Sequence, residues 1–204
     1  MHKALQNLII ASAFALAAPS LAQARGLKHT ITQPLSTAVK IEVVLSEDMQ
    51  HRANNLPAKF SDRRTGSRGF NSGFSGNGFY GEKALQTLVE SLEGKMTRRF
   101  TKKGISISDD APVTLRVTIE DAKNNRPTGN QLGNHPGLSF KSIAQGGAKM
   151  SADLIDQDGT SLGTMTYAFY EHDLFKGPIT AGIWQDAHRS FDRFAKRAAK
   201  TLAN

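Results

Sequence analysis

Period-two alternation marks four stretches of the chain. Val39, Ile41, Val43 and Leu45 share one parity, and Val113, Leu115, Val117 and Ile119 share another. Residues 146–171 carry two more such runs: Ala148, Met150, Ala152 and Leu154 before a turn, and Met165, Tyr167 and Phe169 after it. The turn is Asp156-Gln157-Asp158-Gly159-Thr160, where Gly159 can take the positive φ of a tight hairpin. One apolar face on an antiparallel hairpin has to be covered. Two amphipathic helices are predicted as the cover. Over 82–103, Leu85, Leu88, Val89, Leu92, Met96 and Phe100 recur at helical spacing, and Gly104 stands ready to end the run. Over 183–203, Trp184, Ala187, Phe191, Phe194, Ala195, Ala198 and Leu202 form one stripe, which makes Trp184, the only tryptophan, a core residue.

The element order β-α-β-β-β-α predicts an α+β two-layer sandwich. Its mixed sheet has about four strands, and both long helices lie on one face. Ser46-Glu47-Asp48 reads as an N-cap opening a short helix before Pro57. A parallel crossover between the first two strands gathers the connections 46–81, 121–145 and 171–182 at one end, together with both helix N-termini. Residues 38–204 then form a single domain, preceded by an extended lead-in at 25–37. The connection 46–81 is rich in glycine and carries Phe70, Phe74, Phe79 and Tyr80, which fit a loop tacked onto the core by aromatics.

The N-terminus changes the picture most. Lys3, the apolar run from Leu8 to Ala18 and the small-x-small site Ala22-Gln23-Ala24 predict a signal peptide over 1–24, cleaved before Arg25. A periplasmic or secreted protein follows. The absence of cysteine from all 204 residues excludes disulfides, thiol chemistry, cysteine-bound metal and lipid attachment through cysteine. The formal charge of +8 includes Lys3, so a chain starting at Arg25 carries one unit less. A basic exported protein suits anionic partners such as phospholipid head groups, including peripheral contact with a membrane surface; nucleic acid is not expected in that compartment.

Candidate chemistry is sparse. Gly-Phe-Ser-Gly at 73–76 and Gly-Leu-Ser-Phe at 137–140 miss the nucleophile-elbow spacing, and no phosphate-binding glycine loop is present. Glu171, His172, Asp173, Asp186 and His188 could assemble an acid–base pair or a metal site, but their spacing fits no established pattern. No catalytic residue, metal or cofactor is therefore assigned. The binding candidates are Arg126, Asn125, Glu171, Asp173 and Arg68. Arg126 leads, because a guanidinium beside Pro127 can hold phosphate or carboxylate bidentately. The structural alternative is that Arg126 staples its loop to Glu171 or Asp173. Arg189, Arg193 and Arg197, at steps of four on the last helix, read as a solvated, dipole-matched face rather than a binding ridge.

Gly78-Phe79-Tyr80-Gly81-Glu82, Asn125-Arg126-Pro127-Thr128, Tyr170-Glu171, Trp184-Gln185-Asp186-Ala187 and Phe191-Asp192-Arg193-Phe194-Ala195 together resemble an uncharacterised family of exported proteobacterial proteins. The resemblance covers about 38–204 and implies no activity. The element order is also similar to that of the periplasmic part of the curli secretion channel, the N-terminal domain of TolB and lipoproteins auxiliary to transporters, at the level of fold alone. The expectation is an exported, non-enzymatic envelope protein that binds a protein partner or an anionic envelope component. A small periplasmic hydrolase acting on cell-wall or lipid material is the alternative.

Overall fold

The computed structural model describes residues 26–58, 74–171 and 182–203. The signal segment 1–24, its cleavage at Arg25, and the candidates Arg68, His172 and Asp173 lie outside the described residues. In chain order the elements are β1 (Lys28–His29), β2 (Val39–Leu45), α1 (Glu47–His51), α2 (Glu82–Thr101), β3 (Val113–Lys123), α3 (Gly129–Asn134), β4 (Gly147–Asp156), β5 (Ser161–Tyr170) and α4 (Gln185–Ala203).

The sheet runs β1-β5-β4-β3-β2, with β2 parallel to β3 and every other pair antiparallel. Register turns the sequence alternation into continuous apolar rows. Val43, Val117, Ala152 and Met165 lie side by side across β2, β3, β4 and β5, and Leu45, Ile119, Met150 and Tyr167 form the next row. Leu88, Leu92, Met96 and Phe100 of α2 and Phe191, Phe194, Ala198 and Leu202 of α4 are buried in the same core. Fully burying a large side chain of this kind contributes about 1.5–3 kcal/mol. Strands and helices both supply large core residues, the strands through Leu115, Ile119, Met150 and Tyr167 among others.

Three features depart from the pattern read along the chain. The sheet has five strands rather than four, because the lead-in contributes β1, whose two residues pair with Met165 and Thr166. A pairing that short has no periodicity to read. Second, β3 continues to Lys123, beyond the run that ends at Glu120. A bulge between Ile119 and Asp121 inserts one residue, so Ala122, not Asp121, rejoins the core. Third, the connection 121–145 holds a short helix, α3, started by a capping box in which Thr128 and Gln131 bond each other's backbone N–H.

The hairpin turn is as its residues dictate: Gly159 has φ 81°, Gly159 N–H bonds Asp156 C=O at 3.1 Å, and the Asp156 carboxylate accepts from Asp158 and Thr160 N–H. The arginine row of α4 is packed along β5 rather than standing free in solvent. Arg189 Nη1 lies 3.4 Å from Glu171, Arg193 stacks 4.0 Å over Phe169, and Arg197 lies 5.2 Å over Tyr167. Four helical residues rise about 6 Å and two strand residues about 6.7 Å, so the two ladders stay in step.

Candidate functional site

Strand register fixes where the long connections leave the sheet. Lys123, Gly147 and Tyr170 are aligned across β3, β4 and β5, and Leu45 ends beside Ile119. The connections 46–81, 121–145 and 171–182 therefore leave from one end of the sheet, where α2 and α4 also begin. Such an end exposes many backbone donors and acceptors that have to be satisfied.

Three buried polar side chains brace this end, two of them by bonding backbone groups directly. Arg52, 3% exposed, follows α1, whose N-cap is Ser46. Its Nε and Nη2 donate to the Asp48 carboxylate, and its Nη1 donates to Asp121 Oδ1 at 2.7 Å. The other Asp121 oxygen accepts from Tyr170 Oη at 2.6 Å. Burial alone would lower the Arg52 pKa, but Asp121 above all, with Tyr80 and Asp48, holds it above its usual value. Burial drives both Tyr80 and Tyr170 well above the ordinary phenol range, with Asp121 adding to the rise in each. Both hydroxyls therefore stay protonated donors; Tyr80 gives its proton to Ala122 C=O at 3.2 Å.

Gln131 is wholly buried and uses both ends of its amide. Nε2 donates to Phe74 C=O (3.0 Å) and Gly78 C=O (2.8 Å); Oε1 accepts from Thr128 N–H (3.1 Å) and Asn124 Nδ2 (2.6 Å). One side chain thus ties 74–78 to 124–128. Gly78 has no alternative here: with φ 76°, a Cβ would sit 1.9 Å from Asn55 C=O.

Asn125 does the same for α4. Its Oδ1 accepts the Asp186 N–H at 2.9 Å, capping the helix from another segment, while its Nδ2 donates to Asp186 Oδ2 at 2.5 Å and Ala144 C=O at 3.3 Å. Of the other candidates, Arg126 Nη1 donates to the carbonyls of Phe140 (3.5 Å), Lys141 (2.9 Å) and Ser142 (3.4 Å), holding the loop that follows α3. Glu171 meets Arg189, which also lies 3.2 Å from Asp186. Asn125, Asp186, Arg189 and Glu171 are thereby drawn together, with Arg126 adjacent in the chain.

Of the hydrolase candidates within the described residues, Glu171 and Asp186 both meet Arg189. Asp186 is committed to Asn125 and Arg189. His188 turns toward Phe191, its Nε2 is buried with no hydrogen-bond partner, and burial followed by the charge of Lys95 lowers its pKa. Among the described residues, no three His, Asp or Glu side chains are placed to hold a metal ion. Nor is any described helix long and apolar enough to cross a membrane.

Beside these locks lies an open groove of about 580 Å³, lined by Asn54, Gly81, Glu82, Lys83 and Thr87 on one side and Thr128, Gly129, Asn130 and Ile183 on the other, with Tyr80 at its base. α2 begins at Gly81 with no side-chain cap, and since Ala84 N–H bonds Gly81 C=O, its uncapped donors are those of Glu82 and Lys83, both of which line this groove. Asn54 Nδ2 donates to Glu82 Oε1 at 3.1 Å across one wall.

No protein-family model and no curated protein matches this chain. Among solved structures, it is similar to a PelC dodecamer from Paraburkholderia phytofirmans, at 11% identity over 84% of this chain and 95% of that one, with TM-score 0.41. A DUF330 protein from Xanthomonas campestris is 12% identical over 83% of this chain and 87% of its own, with TM-score 0.41. A minor lipoprotein from Acinetobacter baumannii is 12% identical over 81% and 91%, with TM-score 0.35. Likenesses at these scores carry no argument about this chain, so its function is argued from its own side chains.

Sequence reasoning missed Arg52, Asp121, Tyr170 and Gln131. The Asp48–Arg52 spacing of four and the Thr128–Gln131 capping pattern were legible signals. The Arg52–Asp121 pairing, 69 residues apart, was not.

Proposed function

We propose that this chain is an exported envelope protein whose loop-bearing end binds a protein partner and performs no chemistry. The observation that carries the reading is the groove at the start of α2. Its walls are held by Arg52, Gln131 and Asn125, whose polar atoms are occupied by intramolecular bonds, so the surface is pre-organised. Ile183, 41% exposed, lines the groove, and Leu56, 40% exposed, sits against Gly78. Apolar side chains beside backbone N–H donors suit a peptide segment of a partner. Asn125, Arg126 and Glu171 contribute on this reading by shaping the flanking loop. Export rests on Lys3, the apolar run 8–18 and Ala22-Gln23-Ala24.

Site-specific photo-cross-linking in the producing cell tests the reading. A benzophenone side chain at position 83 or 87, in the groove, should give one discrete protein adduct; the same group at position 158, on the hairpin turn at the far end, should not. No adduct from the groove, or the same adduct from position 158, would refute it.

A further inference from the structure

The closing segments of the two long helices carry a charge equal to that of the whole protein, while their opening segments carry Glu82, Glu90, Glu93 and Asp186 against Lys83 and Arg189. Residues 95–103, closing α2, and 192–203, closing α4, contain nine Lys and Arg against the single carboxylate of Asp192, a net of +8. The formal charge of all 204 residues is also +8, so everything else sums to zero. Both helices begin at the loop-bearing end and run side by side. Asp192 joins them, 2.8 Å from Arg99 and 3.9 Å from Arg98. Arg98, Lys102, Lys103, Arg193, Lys196 and Lys200 remain exposed. On the opposite face of the sheet the charges alternate instead: Arg116 pairs with Glu42 at 2.9 Å and lies in register with Asp153.

Fold stability does not account for this accumulation. Each helix C-terminus presents the equivalent of about half a negative charge, so the two dipoles together call for about one cation. The remaining like charges repel one another. The patch also lacks what other ligands need. The exposed large hydrophobic side chains among the described residues are Leu56, Phe140, Leu162 and Ile183, none of them on these segments, and Phe100 and Phe194 beneath the patch are fully buried. There is no ring on which a base or sugar could stack, and no wedge to enter the hydrocarbon region.

We propose that the face formed by the C-terminal segments of α2 and α4 docks on an anionic phospholipid surface, peripherally and through charge alone. Two parallel helices lying on a sheet present their cations side by side on one broad face, which matches a plane of phosphates. The groove proposed above lies at the other end of the same helices, so neither contact requires the other.

Flotation of the purified chain with vesicles provides the test. Wild type should bind vesicles of equimolar phosphatidylcholine and phosphatidylglycerol at low salt. It should leave them at high salt and ignore phosphatidylcholine alone. Removing two patch charges (Lys102→Gln with Lys200→Gln) should weaken partitioning about 25-fold, from about fivefold per cation at a charged surface. Removing two from the sheet face (Lys40→Gln with Lys149→Gln) should change it less than about threefold, since those lysines point away. Equal losses in both variants would make bulk charge, not the patch, responsible and would overturn the proposal. So would salt-resistant binding, binding to phosphatidylcholine alone, or capture by a soluble polyanion with no binding to the charged vesicles. The salt and lipid arms on wild type stand even if a variant misfolds.

Discussion

Replacing Arg52 by methionine separates a stabilising ion cluster from a decorative one. Arg52 is 3% exposed and answers two carboxylates that, among the described residues, meet no other cation. Methionine fills much of the same volume, so the change removes charge and hydrogen bonds while largely preserving packing. Breaking a buried pair by removing one partner costs about 3–5 kcal/mol, because the remaining charge stays desolvated. Asp48 and Asp121 are 27% and 19% exposed, which lets water recover part of that loss and places the cost near the lower bound, about 3 kcal/mol. For a chain of this size, that is a fall in Tm of about 6–12 °C. Urea unfolding followed by Trp184 fluorescence reports on the right region, since Trp184 packs edge-to-face on Tyr80 at 5.2 Å. Adding Asp121→Asn to Arg52→Met removes the more buried of the two orphaned charges while leaving an acceptor for Tyr170, and should restore about 1–2 kcal/mol. A single-variant loss below about 1 kcal/mol, or strictly additive effects in the double variant, would refute this account.

Trp184→Ala should destabilise by about 3–5 kcal/mol, because the ring is 5% exposed and joins the start of α4 to Tyr80; a melting curve by far-UV circular dichroism that hardly moves would refute its core role. His188 predicts a pH dependence. Its folded pKa lies below that of the unfolded chain, so as pH falls through about 6.5 the unfolded state takes up the proton first and stability declines until the folded pKa is passed. His188→Gln should flatten that decline in melts at mildly acidic against neutral pH, and parallel profiles for the two proteins would show that the histidine is not its source.

The sequence was most legible where one force dominates. The first half of β3, β4 and the middle of β5 each have one buried face, so period two survives there, while β2 at the sheet edge is half-buried beyond Val39; Leu85 to Phe100 read as a helix because they all point into one core. Legibility failed where a single residue changes the count. The bulge at Glu120 shifts parity by one, so Asp121-Ala122-Lys123 looks like the start of a loop although it is still strand. α3 has the sequence Gly-Asn-Gln-Leu-Gly-Asn, with no apolar stripe and two glycines that disfavour helix. It stands on the Thr128 and Gln131 cap and on the bonds Gln131 makes to a segment more than fifty residues earlier. The arginine row on α4 failed differently: helical spacing placed Arg189, Arg193 and Arg197 on one face, but only the neighbouring strand shows that Glu171, Phe169 and Tyr167 lie beneath it.

The candidates at the loop-bearing end show why polar residues in long connections are poor guides to ligands. Where β2, β3 and β5 end, β4 starts and two helices begin, the backbone leaves a surplus of unpaired N–H and C=O groups, and burying each unsatisfied costs about 1–3 kcal/mol. Nearby polar side chains are drawn into that deficit first. Asn125 satisfies the start of α4, Arg126 gathers three carbonyls, and Gln131 closes four bonds at once. The opposite ends of the helices face less of it: the last carbonyls of α2 are answered by the backbone of Lys102, Lys103 and Gly104, and Leu202 C=O of α4 by Leu35 N–H, leaving Lys196 and Lys200 directed at solvent. One topological choice, the parallel crossover from β2 through α2 to β3, therefore divides the molecule into two kinds of surface. At one end, side-chain polarity is consumed in fixing shape around a groove; at the closing segments of the two long helices it remains available as charge.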